Sequence, residues 1–368
     1  MKVGIITCHT PLNYGAMLQA YGLQQYLISK QCDPEIINYA PDIFFEELSL
    51  FYVGDLSIRQ NLLKRVVYLA LKMPFRIRRR FWFDSFKKNF LRIGARRFCS
   101  FEELESSELT YDSYICGSDQ IWNTRGIRGW DPTFYLQFVK NKDKRNSYAA
   151  SMSYDYPISD KVVEKVFPMI CDLGKISVRE RKIAKEIQPY ISSKVESVLD
   201  PVYLVDASKW SELALKAKSE KTKYILIYPM GNSSGVIENA INLSNITGLP
   251  IYAITASKKR IPGVKKKFDC SIPKFIRLFM DAEYVVTNSF HGTSMSIIFK
   301  KNFWACEVEN NNHRITEILE LFNLSQRYIP NGVSIPTENQ SIDYEGIEEE
   351  YKNAVAKSRS FLNSIICE

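Results

Sequence analysis

Short apolar runs alternate with amphipathic stretches along most of this 368-residue chain, and this alternation limits the fold more than any other feature. Strands that are separated by helices build parallel sheets covered on both faces. We therefore predict an α/β fold. The runs expected to form strands are 3–7, 34–39, 113–118, 145–151, 175–180, 197–205, 223–230, 250–255, 284–287 and 302–307. The helices expected between them are 16–29, 160–169, 181–188, 234–246, 271–282 and 294–299.

The chain is longer than one hydrophobic core usually organises, so we predict two Rossmann-like domains that face each other across a cleft. A polar stretch around 208–223 suits the joint, which gives an N-terminal domain at 1–207 and a C-terminal domain at 208–335. A basic helical insertion at about 42–105 interrupts the N-terminal domain. The remaining segment, 336–368, contains a long amphipathic helix that we expect to pack back onto the N-terminal domain.

The composition is that of a soluble globular protein, with 45% hydrophobic and 24% charged residues. Met1 and Lys2 lead directly into the first strand, so we predict no signal peptide, and no apolar run has the length of a membrane span. Eight cysteines are scattered without a C-x-x-C pair. We therefore expect free thiols in a reducing cytoplasm, and no metal site.

The positive charge is concentrated between residues 59 and 97, where thirteen basic residues stand against one acid. This segment carries +12, and because the whole chain carries +8, the remainder carries −4. Aromatic residues are interleaved with these charges, and that combination suits an anionic membrane surface. We expect peripheral contact with the inner face of the cell membrane, or with a lipid pyrophosphate. The expected contact residues are Arg76, Arg78, Arg79, Arg80, Phe81, Trp82, Lys87 and Lys88.

Two other interpretations fit a basic segment of this kind. A nucleic-acid patch is also basic and aromatic, but the rest of the chain is acidic and shows no nucleic-acid module, so no nucleic acid is expected as a partner. Alternatively, the segment is a helix whose apolar face packs on its own domain while its charges are merely solvated. This last alternative stays open beside the membrane interpretation.

The segment 281–299 is predicted to run from a strand through a turn into a helix, at the sheet edge where α/β proteins bind ligands. His291, one of only three histidines, lies in that turn. A helix N-terminus attracts anions, Gly292 allows close backbone approach, and a histidine exchanges protons near neutral pH. We predict a phosphate or carboxylate site here. A turn satisfied by its own caps, such as Ser289 and Thr293, is the alternative.

Two further loops follow predicted strands and could bind a polar ligand. Asn13, Tyr14 and Gly15 lie between the first strand and the first helix. They do not form the G-x-G-x-x-G pattern, so no nicotinamide or flavin cofactor is expected. Asp119 and Gln120 follow another strand, and Asp119 is able to accept from a sugar hydroxyl or from a backbone N–H.

Two arginines are placed to bind an anion. Arg179 directly follows a predicted strand, where a guanidinium can hold a carboxylate or phosphate in a bidentate fork, although pairing with a nearby acid is an alternative. Arg314 lies at the start of a predicted helix, where a cation opposes the helix dipole. That position is reasonable if an anionic ligand is shared with the helix.

Six segments of the chain occur in a characteristic order, namely NYGAMLQAYGL, GSDQIWN, SYAAS, SVRE, LDPVYL and TNSFHGTSMSI. Together they resemble the polysaccharide pyruvyl transferase family over about residues 3–330, outside the basic insertion and the C-terminal tail. The resemblance implies a GT-B-like fold, phosphoenolpyruvate as donor without a further cofactor, and a sugar of a bacterial surface glycan or its lipid-linked precursor as acceptor.

The family's donor-binding arginine, its histidine and its later arginine correspond to Arg179, His291 and Arg314, which gives His291 the role of acid or base, or of phosphate ligand. The expected donor-side residues are Arg179, Ser289, His291, Gly292, Thr293 and Arg314. The candidates for the acceptor side are Asn13, Tyr14, Gly15, Asp119 and Gln120. A glycosyltransferase that uses a nucleotide sugar, and a membrane-associated partner without enzymatic activity, are the competing hypotheses.

Overall fold

The structure is a computed structural model that describes residues 1–44, 49–53, 55–152, 158–231, 233–255, 261–267, 270–308, 313–336, 338 and 341–366. The prediction of two α/β domains with a GT-B-like arrangement is confirmed. Every strand pairing between the named strands is parallel. The sheets are covered by helices, which explains why strands such as VGII and ILIY are apolar throughout.

The N-terminal domain contains a four-stranded parallel sheet of order β2-β1-β3-β4 and a two-stranded sheet, β5-β6. A bridge between Asn146 and Lys175 connects the two sheets. Its elements are β1 (Lys2–Ile6), α1 (Tyr14–Ser29), β2 (Asp33–Ile36), α2 (Leu56–Gln60), α3 (Leu62–Phe90), α4 (Phe101–Glu105), β3 (Ser113–Cys116), β4 (Arg145–Ser147), α5 (Asp160–Lys165), α6 (Phe167–Cys171), β5 (Ile176–Val178), α7 (Arg181–Ile187) and β6 (Val195–Ser197).

The C-terminal domain is built on a six-stranded parallel sheet of order β12-β11-β10-β7-β8-β9. Its elements are α8 (Ala207–Ala214), β7 (Ile225–Tyr228), α9 (Ser234–Thr247), β8 (Ile251–Ile254), β9 (Val264–Lys267), α10 (Ile272–Asp281), β10 (Tyr284–Thr287), α11 (Phe290–Ile298), β11 (Asn302–Cys306), α12 (His313–Leu321) and β12 (Tyr328–Ile329). The edge strands β9 and β12 are not predicted from the sequence. Three of the four residues of β9 are lysines, which hides the apolar signal of a strand.

Two predicted elements need correction. The strand expected at 197–205 ends at Ser197, and Pro201–Tyr203 forms one turn of 3-10 helix. Pro201 has no N–H to donate to a strand ladder, and Asp200 caps the turn instead. The helix expected at 294–299 begins earlier, at Phe290, because Ser289 caps it.

The two domains share one hydrophobic core. The ring of Tyr14, at the start of α1, stacks on Phe275 of α10 with ring centroids 4.2 Å apart. A final helix, α13 (Glu348–Ile366), packs on the N-terminal domain, where Asn363 accepts a hydrogen bond from Tyr26 (2.8 Å). Ser358 of the same helix accepts a hydrogen bond from the backbone N–H of Leu199.

Candidate active site

A polar cavity of about 200 Å³ lies where the carboxyl ends of the two sheets meet. Loops that follow β1, β3, β7 and β10 contribute to its wall, together with the start of α12. Parallel sheets bind ligands at this edge, so the position of the cavity fits a binding site. Its wall is made by Asn13, Asp119, Gln120, Tyr228, Met230, Asn288, Ser289, Phe290, His291, Val308, Arg314 and Ile315. The cavity thus brings together residues predicted for both the donor and the acceptor.

The first turn of α11 borders the cavity. The hydroxyl of Ser289 accepts from the backbone N–H of Gly292 at 3.3 Å and so caps the helix. Asn288 clamps the neighbouring loop, because its amide both donates to and accepts from the backbone of Met230. The N-terminal end of a helix carries partial positive charge. This wall of the cavity therefore favours an anionic ligand.

His291 is held between α1 and a buried carboxylate. A Cβ atom on Gly15 would lie 2.2 Å from Nδ1 of His291, so only a glycine allows the imidazole to pack this closely on α1. On its other side, Nε2 lies 3.7 Å from Oδ2 of Asp200. Gly15 does not line the cavity itself. Its role in this structure is to make room for the histidine.

Asp200 is the centre of a buried polar cluster, which we call the Asp200 cluster and which comprises Ser118, Arg179, Asp200 and His291. Nη1 of Arg179 donates to Oδ2 of Asp200 at 2.9 Å, and the hydroxyl of Ser118 lies 3.1 Å from the same oxygen. Oδ1 accepts from the backbone N–H of Val202. One carboxylate therefore binds the predicted arginine by a hydrogen bond and lies beside the predicted histidine, whose Nε2 makes no hydrogen bond with the described residues.

The electrostatics of the Asp200 cluster favour the charged forms of Asp200 and Arg179. Burial alone would raise the pKa of Asp200, but the nearby His291 and Arg179 outweigh burial and lower that pKa below its usual value. Burial alone would lower the pKa of Arg179, yet the carboxylates of Glu180 and Asp200 raise it. Both groups are therefore ionised over the whole physiological pH range.

Arg179 does not line the cavity that contains His291. Its guanidinium stacks on the ring of Phe290 at 4.5 Å and lines a neighbouring cavity of about 370 Å³. Nε and Nη2 have no hydrogen-bond acceptor among the residues that the structure describes. Arg314 and Phe290 line both cavities. The two spaces are therefore adjacent, with Phe290 between them.

Arg314 and Gln120 are neighbours in the wall of the cavity. When the amide of Gln120 is oriented with its oxygen toward the guanidinium, this oxygen accepts from both terminal nitrogens of Arg314, at 2.8 and 3.0 Å. Tyr228 adds a neutral phenol to the same wall, since burial raises its pKa to about 12. The wall of the cavity thus contains one guanidinium, one imidazole, one carboxylate, that of Asp119, and several neutral polar groups.

Three other predicted residues lie elsewhere than expected. Tyr14 is part of the core, because its ring stacks on Phe275 and its hydroxyl donates to the carbonyl of Cys270. Gly292 faces Thr287, whose Oγ1 would lie 2.6 Å from an added Cβ, so this glycine serves packing inside the domain. Thr293 is fully buried in α11 and does not line the cavity.

The eight residues predicted for membrane contact divide into two groups. Arg76 and Arg79 donate to the backbone carbonyls of Leu50 and Leu12, and Lys87 donates to the carbonyl of Thr10. Trp82 is half-buried. The remaining four lie at the surface, namely Arg78, Arg80, Phe81 and Lys88.

Asp200 is the main functional candidate that the sequence prediction missed. The predicted strand at 197–205 includes it, although an aspartate directly before a proline is typical of a capped turn. That signal, in the segment LDPVYL, indicates the turn but not the partners of Asp200. In the part of the chain that the structure describes, no group of three or more histidine, cysteine or acidic residues is arranged to hold a metal ion.

Comparison with known sequences decides the family. The profile of the family described as polysaccharide pyruvyl transferase matches residues 13–310. The chain belongs to the polysaccharide pyruvyl transferase family. The match includes every residue that lines the His291 cavity except Arg314 and Ile315, which lie just beyond it. No curated protein sequence matches the chain.

The solved structures to which this pyruvyl transferase family member is similar include two UDP-N-acetylglucosamine 2-epimerases and a heptosyltransferase. UDP-N-acetylglucosamine 2-epimerase from Rickettsia bellii is 10% identical, with a TM-score of 0.50 over 100% of this chain and 96% of the epimerase. The epimerase from Neisseria meningitidis, bound to UDP-GlcNAc, is 10% identical with a TM-score of 0.48 over 100% of both chains. E. coli heptosyltransferase WaaC with ADP is 9% identical with a TM-score of 0.42 over 96% and 100%.

The described helices include none that is both long and apolar enough to cross a membrane.

Proposed function

We propose that this protein transfers the enolpyruvyl carbons of phosphoenolpyruvate to two hydroxyls of one sugar and so forms a pyruvate ketal. The single observation that carries this proposal is the shared cavity, whose wall contains His291 and Arg314 together with Asn13, Asp119 and Gln120. Its volume of about 200 Å³ suits a small donor, and the guanidinium of Arg314 suits an anionic one. The family to which the chain belongs performs chemistry of this class.

The proposed reaction needs one proton donor and two proton acceptors. Protonation of C3 of phosphoenolpyruvate places positive charge on C2, and the first sugar hydroxyl attacks C2 and loses its proton. The C2–O bond to phosphate then breaks, and the second hydroxyl attacks C2 to close the ring. One of the two hydroxyl protons balances the proton gained at C3, and the other leaves with hydrogen phosphate.

The donor's anionic groups need cations and backbone N–H groups. Arg314 and the first turn of α11 supply both at the wall of the cavity. We also assign Arg179 to the donor, because its Nε and Nη2 make no hydrogen bond with the described residues and because its cavity shares Arg314 with that of His291. The nearest carboxylate to Nη2 is that of Glu180, at 3.8 Å. These groups would stabilise the phosphate as it departs.

His291 is the group we assign to proton transfer. It is the one imidazole in the wall of this cavity, and Asp200 faces its Nε2 at 3.7 Å. A buried carboxylate beside an imidazole favours one orientation of the ring. Asp200 is thus a positioning residue, which acts on the reaction through His291.

Asn13, Asp119 and Gln120 are assigned to the sugar. Asn13 is exposed at the N-terminus of α1, and Asp119 lies half-buried in the loop after β3. Amide and carboxylate groups of this kind bind vicinal sugar hydroxyls by accepting their protons in hydrogen bonds. The expected acceptor is a sugar of a surface glycan, attached to a lipid carrier.

Donor binding is tested first, because that test requires no knowledge of the acceptor. Thermal unfolding is measured with phosphoenolpyruvate, with inorganic phosphate and with UDP-N-acetylglucosamine. A ligand that binds only the native state raises the melting temperature, so phosphoenolpyruvate should raise it and Arg314→Gln should reduce that rise. A rise with UDP-N-acetylglucosamine and none with phosphoenolpyruvate would instead favour a glycosyltransferase.

Turnover is tested by incubating the protein with phosphoenolpyruvate and lipid-linked glycan precursors, and by following phosphate release together with the mass of the glycan. We expect the pyruvyl mass to appear only when both substrates are present. His291→Ala should lower the rate by about two to four orders of magnitude. Near-full activity of this variant contradicts the assignment of His291, and absence of turnover with every acceptor favours a non-enzymatic partner.

A further inference from the structure

The helix α3 lies on the surface of the N-terminal domain and carries apolar side chains that the domain does not cover. All of its residues before Phe83 are exposed or half-buried. The most exposed apolar residues of the described chain are concentrated here, with Leu63 at 75% and Phe81 at 60% exposure. An exposed apolar patch of this size on a soluble domain commonly marks an interaction surface.

Most of the exposed apolar residues of α3 form one stripe along the helix, and Leu62, Leu71 and Phe75 lie to its sides. After Leu63 the residues of the stripe recur four, seven, eleven, fourteen and eighteen residues later, at Val67, Ala70, Pro74, Ile77 and Phe81. This is the spacing of a single helix face. We call this the outer stripe. It consists of Leu63, Val66, Val67, Ala70, Pro74, Ile77 and Phe81, all of which are exposed.

A second apolar face of α3 holds the helix on the protein. Phe83 packs on Tyr14 with ring centroids 5.1 Å apart, and Phe86 packs on Tyr21 at 5.9 Å. At 100° per residue, the face of Phe83, Phe86 and Phe90 lies on the opposite side of the helix from the outer stripe. The helix therefore has one apolar face for its own core and another that faces solvent.

The cations of α3 are sorted in the same way. On the inner side, Arg79 donates to the carbonyl of Leu12 at 2.6 Å, and Lys87 to that of Thr10 at 3.2 Å. Three other cations lie beside or on the outer stripe by helical spacing and are exposed or partly exposed, namely Arg78, Arg80 and Lys88. Asp84, which is exposed and pairs with Arg80, lies on the same side as Val66 by helical spacing. The outer face thus combines an apolar stripe with three cations and one acid.

We propose that the outer stripe, with Arg78, Arg80 and Lys88, docks the protein on an anionic lipid bilayer. The apolar side chains enter the boundary between head groups and acyl chains, while the cations remain among the head groups. A second copy of the chain fits this surface less well. Residues 59–97, which include α3, contain thirteen basic residues and one acid. Two copies that packed with their outer stripes together would therefore bring like charges close to each other.

The docked surface is connected to the cavity. Arg79 and Lys87 bind the loop between β1 and α1, and Asn13 of that loop lines the cavity. If the proposed function is correct, docking holds the acceptor side of the cavity close to a lipid-linked sugar. Only this consequence rests on the proposed function, since the lipid contact itself depends on α3 alone.

Vesicle co-sedimentation of the full chain tests the proposal, with phosphatidylcholine alone and with phosphatidylcholine mixed with phosphatidylglycerol. Binding should require the anionic lipid and weaken as salt is added. The double variant Arg78→Gln/Lys88→Gln should lower the partition coefficient roughly tenfold or more. Ile77→Ser/Phe81→Ser should lower it by a similar factor, because it removes apolar area from the bilayer.

Matched controls separate the surface from general effects of charge and hydrophobicity. Lys165→Gln/Lys185→Gln removes two exposed cations elsewhere, and Ile246→Ser/Val333→Ser removes two exposed apolar side chains from the C-terminal domain. Both controls should bind vesicles as the parent does. In all variants, phosphoenolpyruvate should raise the melting temperature as much as it does in the parent. A failure of docking is then distinguishable from a failure of donor binding.

Three outcomes would overturn the proposal. The parent could fail to bind anionic vesicles, or the controls could lose as much binding as the stripe variants. Alternatively, the parent could form a dimer in sedimentation velocity that Ile77→Ser/Phe81→Ser abolishes, without any vesicle binding. That last result would assign the outer stripe to contact between two copies of the chain.

Discussion

Asp200 and the groups around it are buried charges that hold each other, whereas the charges beside the outer stripe of α3 lie at the surface. Arg179 and Asp200 have side chains 3% and 0% exposed and are 2.9 Å apart. Arg80 and Asp84 are 43% and 56% exposed and 3.7 Å apart. Coulomb energy falls steeply with the effective dielectric constant, so the first pair is strongly coupled and the second weakly. One region should respond sharply to single substitutions and the other only in small steps.

The largest effect on stability is expected for Asp200→Asn. This change leaves the guanidinium of Arg179 buried beside Glu180 alone, whose Oε1 lies 3.8 Å from Nη2. Removing one partner of a buried ion pair typically lowers the free energy of unfolding by about 3 to 5 kcal/mol. Urea unfolding, followed by circular dichroism, measures the loss.

Asp206→Asn is the matched control for Asp200→Asn. Asp206 pairs with Arg359 at 2.7 Å, but its side chain is 77% exposed. A surface ion pair contributes about 1 kcal/mol or less, so this variant should unfold close to the parent. Equal losses for the two aspartates would contradict the contrast between the buried and the exposed charges.

The same carboxylate predicts how stability depends on pH. The pKa of Asp200 is lower in the folded protein than in an unfolded chain, where the pKa of an aspartate is about 4. The stabilisation is therefore fully present above the unfolded pKa and is lost as the pH falls through the folded pKa. Urea midpoints between neutral and acidic pH should fall more steeply for the parent than for Asp200→Asn. Parallel curves would show that Asp200 titrates normally.

The sequence predicted the strands and loops around the candidate active site better than it predicted the role of Asp200. Apolar runs such as YVVT and ILIY locate β10 and β7, because buried parallel strands are apolar on both faces. The loops after such strands then share one sheet edge, which is why Asn13, Gln120 and Arg314 lie in one cavity with His291.

Asp200 was missed because its importance depends on three partners that are distant in sequence. Ser118, Arg179 and His291 come from different elements, and no local pattern places them within reach of one carboxylate. The function of Gly15 is hidden for the same reason. A glycine after a strand suggests close approach to a ligand, whereas here the group that approaches is the imidazole of His291.

Gly15→Ala tests how tightly the cluster is packed. The added methyl group would lie 2.2 Å from Nδ1 of His291, so the imidazole or α1 has to move. Overpacking of this kind costs about 1 to 3 kcal/mol of unfolding free energy, and displacement of His291 should also lower the turnover rate. Urea unfolding and the phosphate-release assay measure the two effects.

Gly235→Ala provides the comparison, since Gly235 lies in the first turn of α9 and the nearest atom to an added Cβ is 3.9 Å away. An alanine there should be neutral or slightly stabilising, because alanine favours the helix more than glycine does. If Gly15→Ala is equally harmless, His291 is not confined by α1.

The smallest effect on stability is expected for Arg80→Gln. Its pair with Asp84 is an exposed contact four residues apart on one helix, and such pairs contribute about 0.5 kcal/mol or less. Vesicle binding should nevertheless fall several-fold, since one cation near an anionic surface contributes about 1 kcal/mol. A change in vesicle binding without a change in urea midpoint would show that this charge serves a partner and not the fold. The buried side chains of α3 are Phe83 and Phe86. A stability loss near that of Asp200→Asn would instead mean that these two side chains do not suffice to hold α3 on the domain and that its charges contribute.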